Sequence, residues 1–285
     1  MQLSVIIPCF NAANTIATQL EALADQDYDQ PWEVIVADNG STDDTVAVVK
    51  QYQQRLPNLR LVDASARPGA AYARNLGVSV AESEWLAFCD ADDQVAPGWV
   101  AALAAALAKA DFVVGSQEYN KLNQPWLAQA CRYAESQSGI RDHAYLPWAC
   151  ANNLGVKRSV HQQIGGFDET LLAVEDVDYC WRAQQAGISL EYAPEAQIHY
   201  RYRPTIKGLW QRWQKIGFYD IFLLKKHQKM GAPTGVSWPQ LMGTALKLPP
   251  RFVVKVRDQA TLAQILIDCA FLTGHIQGMV AYRSR

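Results

Sequence analysis

The stretch that decides the fold is Trp85-Leu86-Ala87-Phe88-Cys89-Asp90-Ala91-Asp92-Asp93, a short apolar run followed at once by three carboxylates. Such a run is typical of a strand buried on both faces of a sheet. Like charges this close repel one another, and a bound divalent cation removes that penalty. Asp90 and Asp92 point the same way if strand geometry persists, and hard oxygen ligands of this kind suit Mg²⁺ or Mn²⁺. For an isolated Asp-x-Asp pair, a solvated acidic turn is the alternative.

Strands and helices alternate on the N-terminal side of this stretch. Apolar runs predict the strands 3–8, 32–37, 59–62 and 85–89, and helical spacing predicts helices over 14–24, 43–56 and 69–81. We expect Asn14 or Thr15 to cap the first helix. Ser41 or Thr42 is the expected cap of the second. The alternation predicts an α/β fold with a mostly parallel sheet flanked by helices.

Polar segments follow the ends of three of these strands. They are residues 8–11, 38–44 and 90–93. Ligands of open parallel sheets bind outside the carboxyl ends of the strands, so we expect the binding site here.

The second half of the chain has a less regular pattern. It predicts helices over 97–110, 159–164 and 177–186, and strands over 111–115, 153–156, 189–193 and 197–202. The segment Gln117–Tyr145 is aromatic and Gln-rich, and it fits no element.

Charge divides the chain in two. Residues 1–200 carry 12 Lys or Arg and 25 Asp or Glu, whereas residues 201–285 carry 14 and 3, a net charge of +11. A basic segment indicates an anionic partner. The six cysteines are scattered without metal or redox spacing, which favours a reducing compartment. The first residues enter a strand directly, so we expect no signal peptide, and we expect no apolar run of the roughly 20 residues that span a membrane.

The ordered set of motifs over residues 3–200 resembles the family 2 glycosyltransferases, which have the GT-A (Rossmann-like) fold. The segments that carry the resemblance are 4–12, 36–43, 68–77, 90–93, 165–169 and 175–178. It implies a GT-A catalytic domain over 1–200, with a nucleotide-binding half over 1–93 and an acceptor half over 94–200. Residues 201–285 form a C-terminal basic amphipathic helical extension.

The resemblance also implies a set of residues that bind a nucleotide-sugar. They are Pro8, Phe10, Asn11, Asp38, Arg74, Asp90 and Ala91. A carboxylate such as Asp38 accepts from uracil N3–H, which favours a UDP-linked sugar, although an Asx-turn or helix cap is the alternative role. Phe10 packs on the base or ribose, or in the core at the strand end. Arg74 reaches the phosphates, or it pairs with the acidic motif without substrate.

Metal, catalytic and acceptor roles follow from the same resemblance. Asp92 and Asp90 hold Mn²⁺ or Mg²⁺, with His199 as a further ligand or a structural histidine. Asp176 is the expected base that takes the acceptor proton, and complementing the helix dipole is its alternative role. Glu175 and Trp148 are the weaker acceptor contacts, and Glu175 and Asp178 are expected to raise the pKa of Asp176 or to hold the helix entrance. A single displacement without an enzyme nucleophile predicts inversion.

The basic extension interleaves cationic and aromatic residues, as a membrane-interface segment does. Its last part, 261–282, shows an apolar helical stripe that ends with Ile276 and Val280. Packing on the catalytic domain is the alternative, and no nucleic-acid-binding motif is present. Gly274 and Gly278 form a G-x-x-x-G, which carries weight only in a spanning helix.

The sequence therefore predicts an inverting, metal-dependent glycosyltransferase that acts on a saccharide or lipid-linked saccharide. We expect a cytoplasmic protein, peripheral on the cytosolic face of an anionic membrane. A sugar-1-phosphate nucleotidyltransferase is one alternative, although the loop after the first strand lacks its glycines and lysine. A non-catalytic nucleotide-sugar-binding module is the other.

Overall fold

The computed structural model of the chain describes residues 2–131, 136 and 138–283. These residues form two units. The first holds Met1–Lys121 and Ser136–Arg201, and the second holds Leu122–Glu135 and Tyr202–Arg285. Within the segment Gln117–Tyr145, for which the sequence predicted no element, residues 132–135 and 137 lie outside the described part of the chain.

The first unit is built on a mixed sheet. Its strands are β1 (Leu3–Cys9), β2 (Trp32–Asp38), β3 (Leu59–Asp63), β4 (Trp85–Cys89), β5 (Gln94–Val95), β6 (Phe112–Glu118), β7 (Ile140–Arg141), β8 (Trp148–Ala149), β9 (Asn153–Lys157) and β10 (Glu191–His199). Over the described residues the order is β3-β2-β1-β4-β9-β6-β10-β5, and β7 and β8 pair separately. Strands β1 to β4 run parallel, as do β6 and β10, whereas β9 and β5 are antiparallel to their neighbours. The predicted mostly parallel α/β sheet is confirmed.

Helices cover both faces of this sheet. In chain order they are α1 (Ile16–Ala24), α2 (Thr45–Tyr52), α3 (Ala70–Val80), α4 (Trp99–Leu107), α6 (Arg158–Gln163) and α7 (Glu175–Gln185). Helix α5 (Pro125–Cys131) belongs to the second unit. Strand β1 shows why helices are needed on both sides. Val5 and Ile7 belong to one buried cluster and Ile6 to the other, so each face of the strand packs against a helical layer. On the α3 side, a Cβ on Gly77 would lie 2.6 Å from Ile6 Cγ2, so the glycine lets α3 sit close to the sheet.

Thr15, one of the two residues expected to cap the first helix, is its N-cap residue, whereas the caps expected for the second helix are wrong. Thr15 precedes α1, but no side-chain capping hydrogen bond is made there. Helix α2 begins only at Thr45, because Ser41 and Thr42 bind the loop after β1 instead.

The two strands expected over 189–193 and 197–202 are one strand, β10. Its pairing register with β6 shifts between Ala193 and Gln197. Pro194 lies inside that interval and has no N–H to donate to a ladder, which accounts for the irregularity.

Long helices dominate the second unit. After α5 come α8 (Ile206–His227), a short 3₁₀ turn, α9 (Trp238–Lys255) and α10 (Gln259–Arg283). Helices α8 and α10 approach closely at glycines: a Cβ on Gly274 would lie 2.1 Å from Gln214 O, and one on Gly278 would lie 2.6 Å from Phe218 O. The G-x-x-x-G that the sequence discounted is therefore a helix-packing contact within this unit.

Helix α10 also corrects the expectation that no segment is apolar enough to span a membrane. Over the described residues, Gln259–Tyr282 is 24 residues long with a mean hydropathy of 1.3, because isolated polar residues such as Asp268 barely lower the average. Length and composition alone are weak evidence for a span, since the core helix of a folded unit has the same properties. At the end of the expected apolar stripe, Ile276 and Val280 are exposed.

Candidate active site

The first part of the site is the pair of loops that follow β1 and β2. Cys9 and Asp38 lie side by side in the strand register, so both loops leave the sheet at the same edge. Asn11 connects them: its Oδ1 accepts from the Thr42 N–H at 2.8 Å, and its own N–H donates to Ser41 Oγ at 2.9 Å. Its φ of 49° is left-handed, a conformation that asparagine tolerates better than most residues.

Asp38 makes a local turn, which is the alternative role left open for it. The Ser41 N–H donates to Asp38 Oδ2 at 3.2 Å. Asn39 has a longer reach, because its Nδ2 donates to the carbonyl of Arg67 at 2.7 Å and its Oδ1 accepts from the Gly69 N–H at 2.8 Å. Asn39 therefore ties the loop after β2 to the start of α3.

Three other residues expected to contact the donor differ in exposure. Phe10 is 59% exposed, so the alternative that it packs in the core at the strand end is wrong. Pro8 is half-buried near the end of β1. The side chain of Ala91 is buried in the core, so only its backbone is available at the acidic loop.

Three carboxylates converge in the loop after β4. One oxygen of each of Asp90, Asp92 and Asp93 lies within 4.8 Å of the others. Asp93 is buried and accepts from Asn152 Nδ2 at 2.6 Å and from the Arg201 N–H at 2.8 Å. Burial raises the pKa of Asp93 well above its ordinary value, and the charges of Asp92 and Asp90 raise it further. Asp93 therefore anchors the loop, while Asp90 and Asp92 are the half-buried carboxylates of the set.

Arg201 is a site residue that the sequence analysis missed. Its Nε donates to the Asp92 carbonyl at 2.7 Å, in addition to the bond from its N–H to Asp93. It was grouped with the basic extension because it opens a run of Lys and Arg. The available signal was its place two residues after His199, at the end of a strand next to the acidic loop.

Arg74 joins the acidic loop to the segment expected to be catalytic. Its guanidinium donates to Asp90 Oδ1 and to Glu175 Oε1, both at 2.8 Å, and its side chain is 4% exposed. Burial by itself lowers the pKa of Arg74, but the charges of Asp90 and Glu175 raise it above its ordinary value. Pairing with the acidic motif, the alternative left open for Arg74, is the arrangement in the structure. Its Nε is buried and, among the described residues, has no hydrogen-bond partner.

Asp176 is the second residue of α7, and this helix begins directly after Val174, which takes the left-handed conformation at a φ of 58°. Asp176 is half-buried. Asp178 is fully buried and binds Arg182 Nε at 2.7 Å. Glu175, which was expected to act beside Asp176 or to contact the acceptor, is held by Arg74. Both neighbouring carboxylates therefore already have cationic partners.

A second arginine, Arg141, is close enough to Asp176 for their charges to interact, and the sequence analysis missed it as well. Arg141 lies on β7, in the segment that fitted no element, and its guanidinium lies 5.1 Å from the ring centroid of Trp148. It donates to Gln117 Oε1 at 3.1 Å. Burial lowers the pKa of Arg141, but negative charges around it, including that of Asp176, raise it overall. Trp148 is half-buried, with the Arg141 guanidinium over its ring.

His199 ends β10 and lies opposite Gln94 in the strand register. Gln94 follows Asp92 by two residues, so His199 is near the acidic loop. Its Nδ1 lies 3.0 Å from Glu118 Oε2. Burial acts to raise the pKa of Glu118, but hydrogen bonds from His199 and from backbone N–H groups lower it below its ordinary value. Glu118 therefore orients the imidazole at the edge of the acidic loop.

The pKa of the Cys9 thiol reflects the negative charge around the site. Burial raises the pKa of its thiol to about 12, and the charges of Asp38, Asp43 and Asp92 add to the rise. Three carboxylates from two loops, those after β2 and β4, thus act on one atom, so this edge of the sheet favours cations.

Comparisons with known proteins point to one family. A family model described as Glycosyl transferase family 2 matches residues 4–165. The glycosyltransferase AglE of Haloferax volcanii is 30% identical over 193 residues, 67% of this chain and 64% of AglE. The uncharacterized glycosyltransferase YibD of Escherichia coli (strain K12) is 43% identical over 96 residues, 34% of this chain and 27% of YibD. The chain thus spans less than two thirds of either relative.

Two solved structures share the fold. The mannosyltransferase PcManGT from Pyrobaculum calidifontis, in complex with GDP-Man and Mn²⁺, superposes with a TM-score of 0.64 at 18% identity, over 98% of this chain and 87% of that chain. S. aureus TarS 1-349, in complex with UDP-GlcNAc, superposes with a TM-score of 0.58 at 18% identity, over 100% and 92%. At this identity the likeness supports the architecture alone, and it confirms the predicted GT-A fold.

Proposed function

Because the chain belongs to glycosyl transferase family 2, we propose that it transfers a sugar from a nucleotide-diphosphate sugar to a saccharide acceptor. The family match confirms the resemblance seen in the sequence. The observation that carries the proposal is the Arg74 bridge: one guanidinium holds Asp90 of the acidic loop and Glu175 of the α7 segment. It fixes a donor-side carboxylate and the residue next to Asp176 in one rigid arrangement.

The donor is proposed to lie along the loops after β1 and β2. Phe10 offers an exposed ring for the base or ribose, and Asp38 offers an acceptor for uracil N3–H. Pro8, Asn11 and the Ala91 backbone would complete the contact. A UDP-linked hexose or N-acetylhexosamine fits this set, and the structure of TarS with UDP-GlcNAc is consistent with it.

The donor set also fits a divalent cation. Asp90 and Asp92 are half-buried oxygen ligands on one loop, and His199 is oriented beside them, a combination that suits Mn²⁺ or Mg²⁺. When bound there, the cation would supply positive charge next to the departing diphosphate. Asp93 and Arg201 keep the ligand loop in place, and Arg74 prevents Asp90 from turning away.

Asp176 is proposed as the base that takes the proton of the acceptor hydroxyl as that oxygen attacks the anomeric carbon. The attack occurs opposite the departing diphosphate, so a single displacement inverts the anomeric centre. Glu175, the neighbour of Asp176 in the chain, is held by Arg74, so the bridge fixes the segment that carries Asp176. Trp148 would border the acceptor.

The acceptor is proposed to be a growing saccharide, free or linked to a lipid, at the cytosolic face of a membrane. The net charge of +11 over 201–285 supports an anionic membrane surface as a partner and a cytoplasmic, peripheral location. No nucleic-acid partner is proposed.

The first test is a panel of nucleotide-sugars with and without Mn²⁺, scored for affinity and for slow hydrolysis to free nucleotide. We expect one donor to bind only with metal and to be hydrolysed. Release of pyrophosphate from a sugar-1-phosphate and a nucleoside triphosphate would instead support the nucleotidyltransferase alternative. Metal-independent binding without turnover would support the binding module.

The second test is Asp176→Asn. It removes the proton acceptor but keeps the shape, so transfer to an acceptor should fall at least about 100-fold while donor affinity stays unchanged. Near-normal turnover would contradict the assignment of the base. Glu191→Gln, at an exposed residue that begins β10, is the matched control and should leave turnover unchanged.

A further inference from the structure

Helix α9 carries exposed apolar residues on one side. We define the α9 outer face as Met242, Leu246, Val253 and Val254. Leu246 is 72% exposed and Val253 is 86% exposed. The intervals of four and seven positions bring Met242, Leu246 and Val253 onto one stripe of a helix with 3.6 residues per turn, and Val254 lies to one side of that stripe. Burying such side chains is favourable, so a stripe that stays in water indicates an interaction surface.

The outer face is a second apolar face of α9, in addition to the one that holds the unit together. The inner side of the helix buries Leu241 and Leu248, which form one cluster with Leu272 of α10. Because the inner face already anchors α9, the exposure of Leu246 and Val253 is not explained by packing within the second unit.

Positive charge borders the outer face. Lys247 follows Leu246, Lys255 follows Val254, and Arg257 comes just after the helix; all three are exposed. Residues 201–285 contain 14 Lys or Arg and 3 Asp or Glu, so the surroundings of the face are strongly cationic as well. An apolar stripe bordered by Lys and Arg is complementary to a lipid surface with anionic headgroups.

We propose that the α9 outer face inserts into the headgroup region of an anionic lipid surface, with Lys247, Lys255 and Arg257 on the phosphates. Helix α9 lies in the plane of the interface. This places the membrane contact on α9, whereas the sequence pointed to the aromatic residues of α8 and the stripe of α10. The inference rests on the membrane partner in the proposed function and is independent of the transfer chemistry.

The test is co-sedimentation of the full chain with vesicles of phosphatidylcholine alone and of phosphatidylcholine mixed with phosphatidylglycerol. We expect binding to the mixed vesicles only. The double variant Leu246→Gln, Val253→Gln should weaken it at least about tenfold, because both side chains leave the apolar region. Lys247→Gln with Lys255→Gln should weaken it as well and reduce its dependence on salt. Tyr192→Ser, which removes an exposed apolar residue from the first unit, is the matched control and should bind as the wild type does.

Each outcome has a distinct meaning. Far-UV circular dichroism should be unchanged in the Leu246 and Val253 variant, because both residues are exposed. If that variant binds like the wild type, the α9 assignment is overturned and the membrane partner stands. If the wild type binds no vesicles, the α9 assignment and the membrane partner are both overturned. The transfer function is still decided separately by the donor panel. Dimers in sedimentation velocity that dissociate in the variant, without vesicle binding, would overturn the inference in favour of self-association.

Discussion

Replacing Arg74 by alanine should destabilise the fold of the first unit and disable the site at once. The change removes the guanidinium that holds Asp90 and Glu175 at 2.8 Å each. Removing one partner of a buried ion pair leaves an uncompensated charge, which lowers stability by about 3–5 kcal/mol. Asp90 is one-third exposed and recovers some hydration, whereas Glu175 is 13% exposed, so we take the lower end, about 3 kcal/mol.

That loss corresponds to a fall in Tm of roughly 6–12 °C for a unit of this size. Thermal unfolding followed by tryptophan fluorescence measures it. A second substitution, Glu175→Gln in the Arg74→Ala background, removes one of the stranded charges and should recover part of the lost stability. Slow donor hydrolysis should also fall in Arg74→Ala, since Asp90 is no longer oriented.

The control is Arg55→Ala. Arg55 also joins two carboxylates, Glu21 and Asp25, but at an exposed surface where water screens the charges. Its Tm should stay within error of the wild type. Equal losses for Arg74→Ala and Arg55→Ala would refute the importance of burial at this bridge. So would a further loss, instead of a recovery, on adding Glu175→Gln.

Three further predictions concern other parts of the chain. Gly274→Ala should destabilise the second unit, because its Cβ would lie 2.1 Å from a carbonyl oxygen of α8. Gly243→Ala on α9, where a Cβ would have nothing within 4 Å, should instead stabilise the unit by about 0.5–1 kcal/mol. Urea unfolding of the two variants compares these effects. His199→Gln should weaken Mn²⁺ affinity about tenfold in a fluorescence titration, and Glu118→Gln should act in the same direction; unchanged affinity in both would remove His199 from the ligand set. Burial, with nearby arginines, lowers the pKa of His161 to about 4. Between pH 6.5 and 4 the unfolded chain therefore binds more protons than the folded one, and stability should fall as the pH drops through that window. If the urea midpoints of the wild type and of His161→Gln decline in parallel there, His161 is not the cause.

The sequence predicted the fold through features that lie close together in the chain. A strand buried on both faces is a contiguous apolar run, so β1 and β4 could be found from their composition alone. The acidic loop was equally visible, because Asp90 to Asp93 are adjacent. Irregular features that depend on distant segments could not be predicted. The pairing shift around Pro194, for example, depends on β6, a different segment of the chain.

Pairs that meet from distant parts of the chain could not be predicted in this way. Arg74 is separated by 101 positions from Glu175, and nothing local distinguishes it from an arginine on a solvated helix face. Arg141 sits in a stretch without periodicity, so neither its strand nor its electrostatic interaction with Asp176 could be foreseen.

The sequence by itself determined the alternating α/β order, the family and the identity of the acidic ligand loop, because local hydrophobic patterning and motif spacing encode them. The tertiary structure decided which charges are paired, that Arg201 serves the site rather than the basic extension, and which apolar face of α9 stays in water. The physical reason is that an amphipathic pattern shows that a face is apolar, whereas only the packing of neighbouring helices shows whether that face is covered.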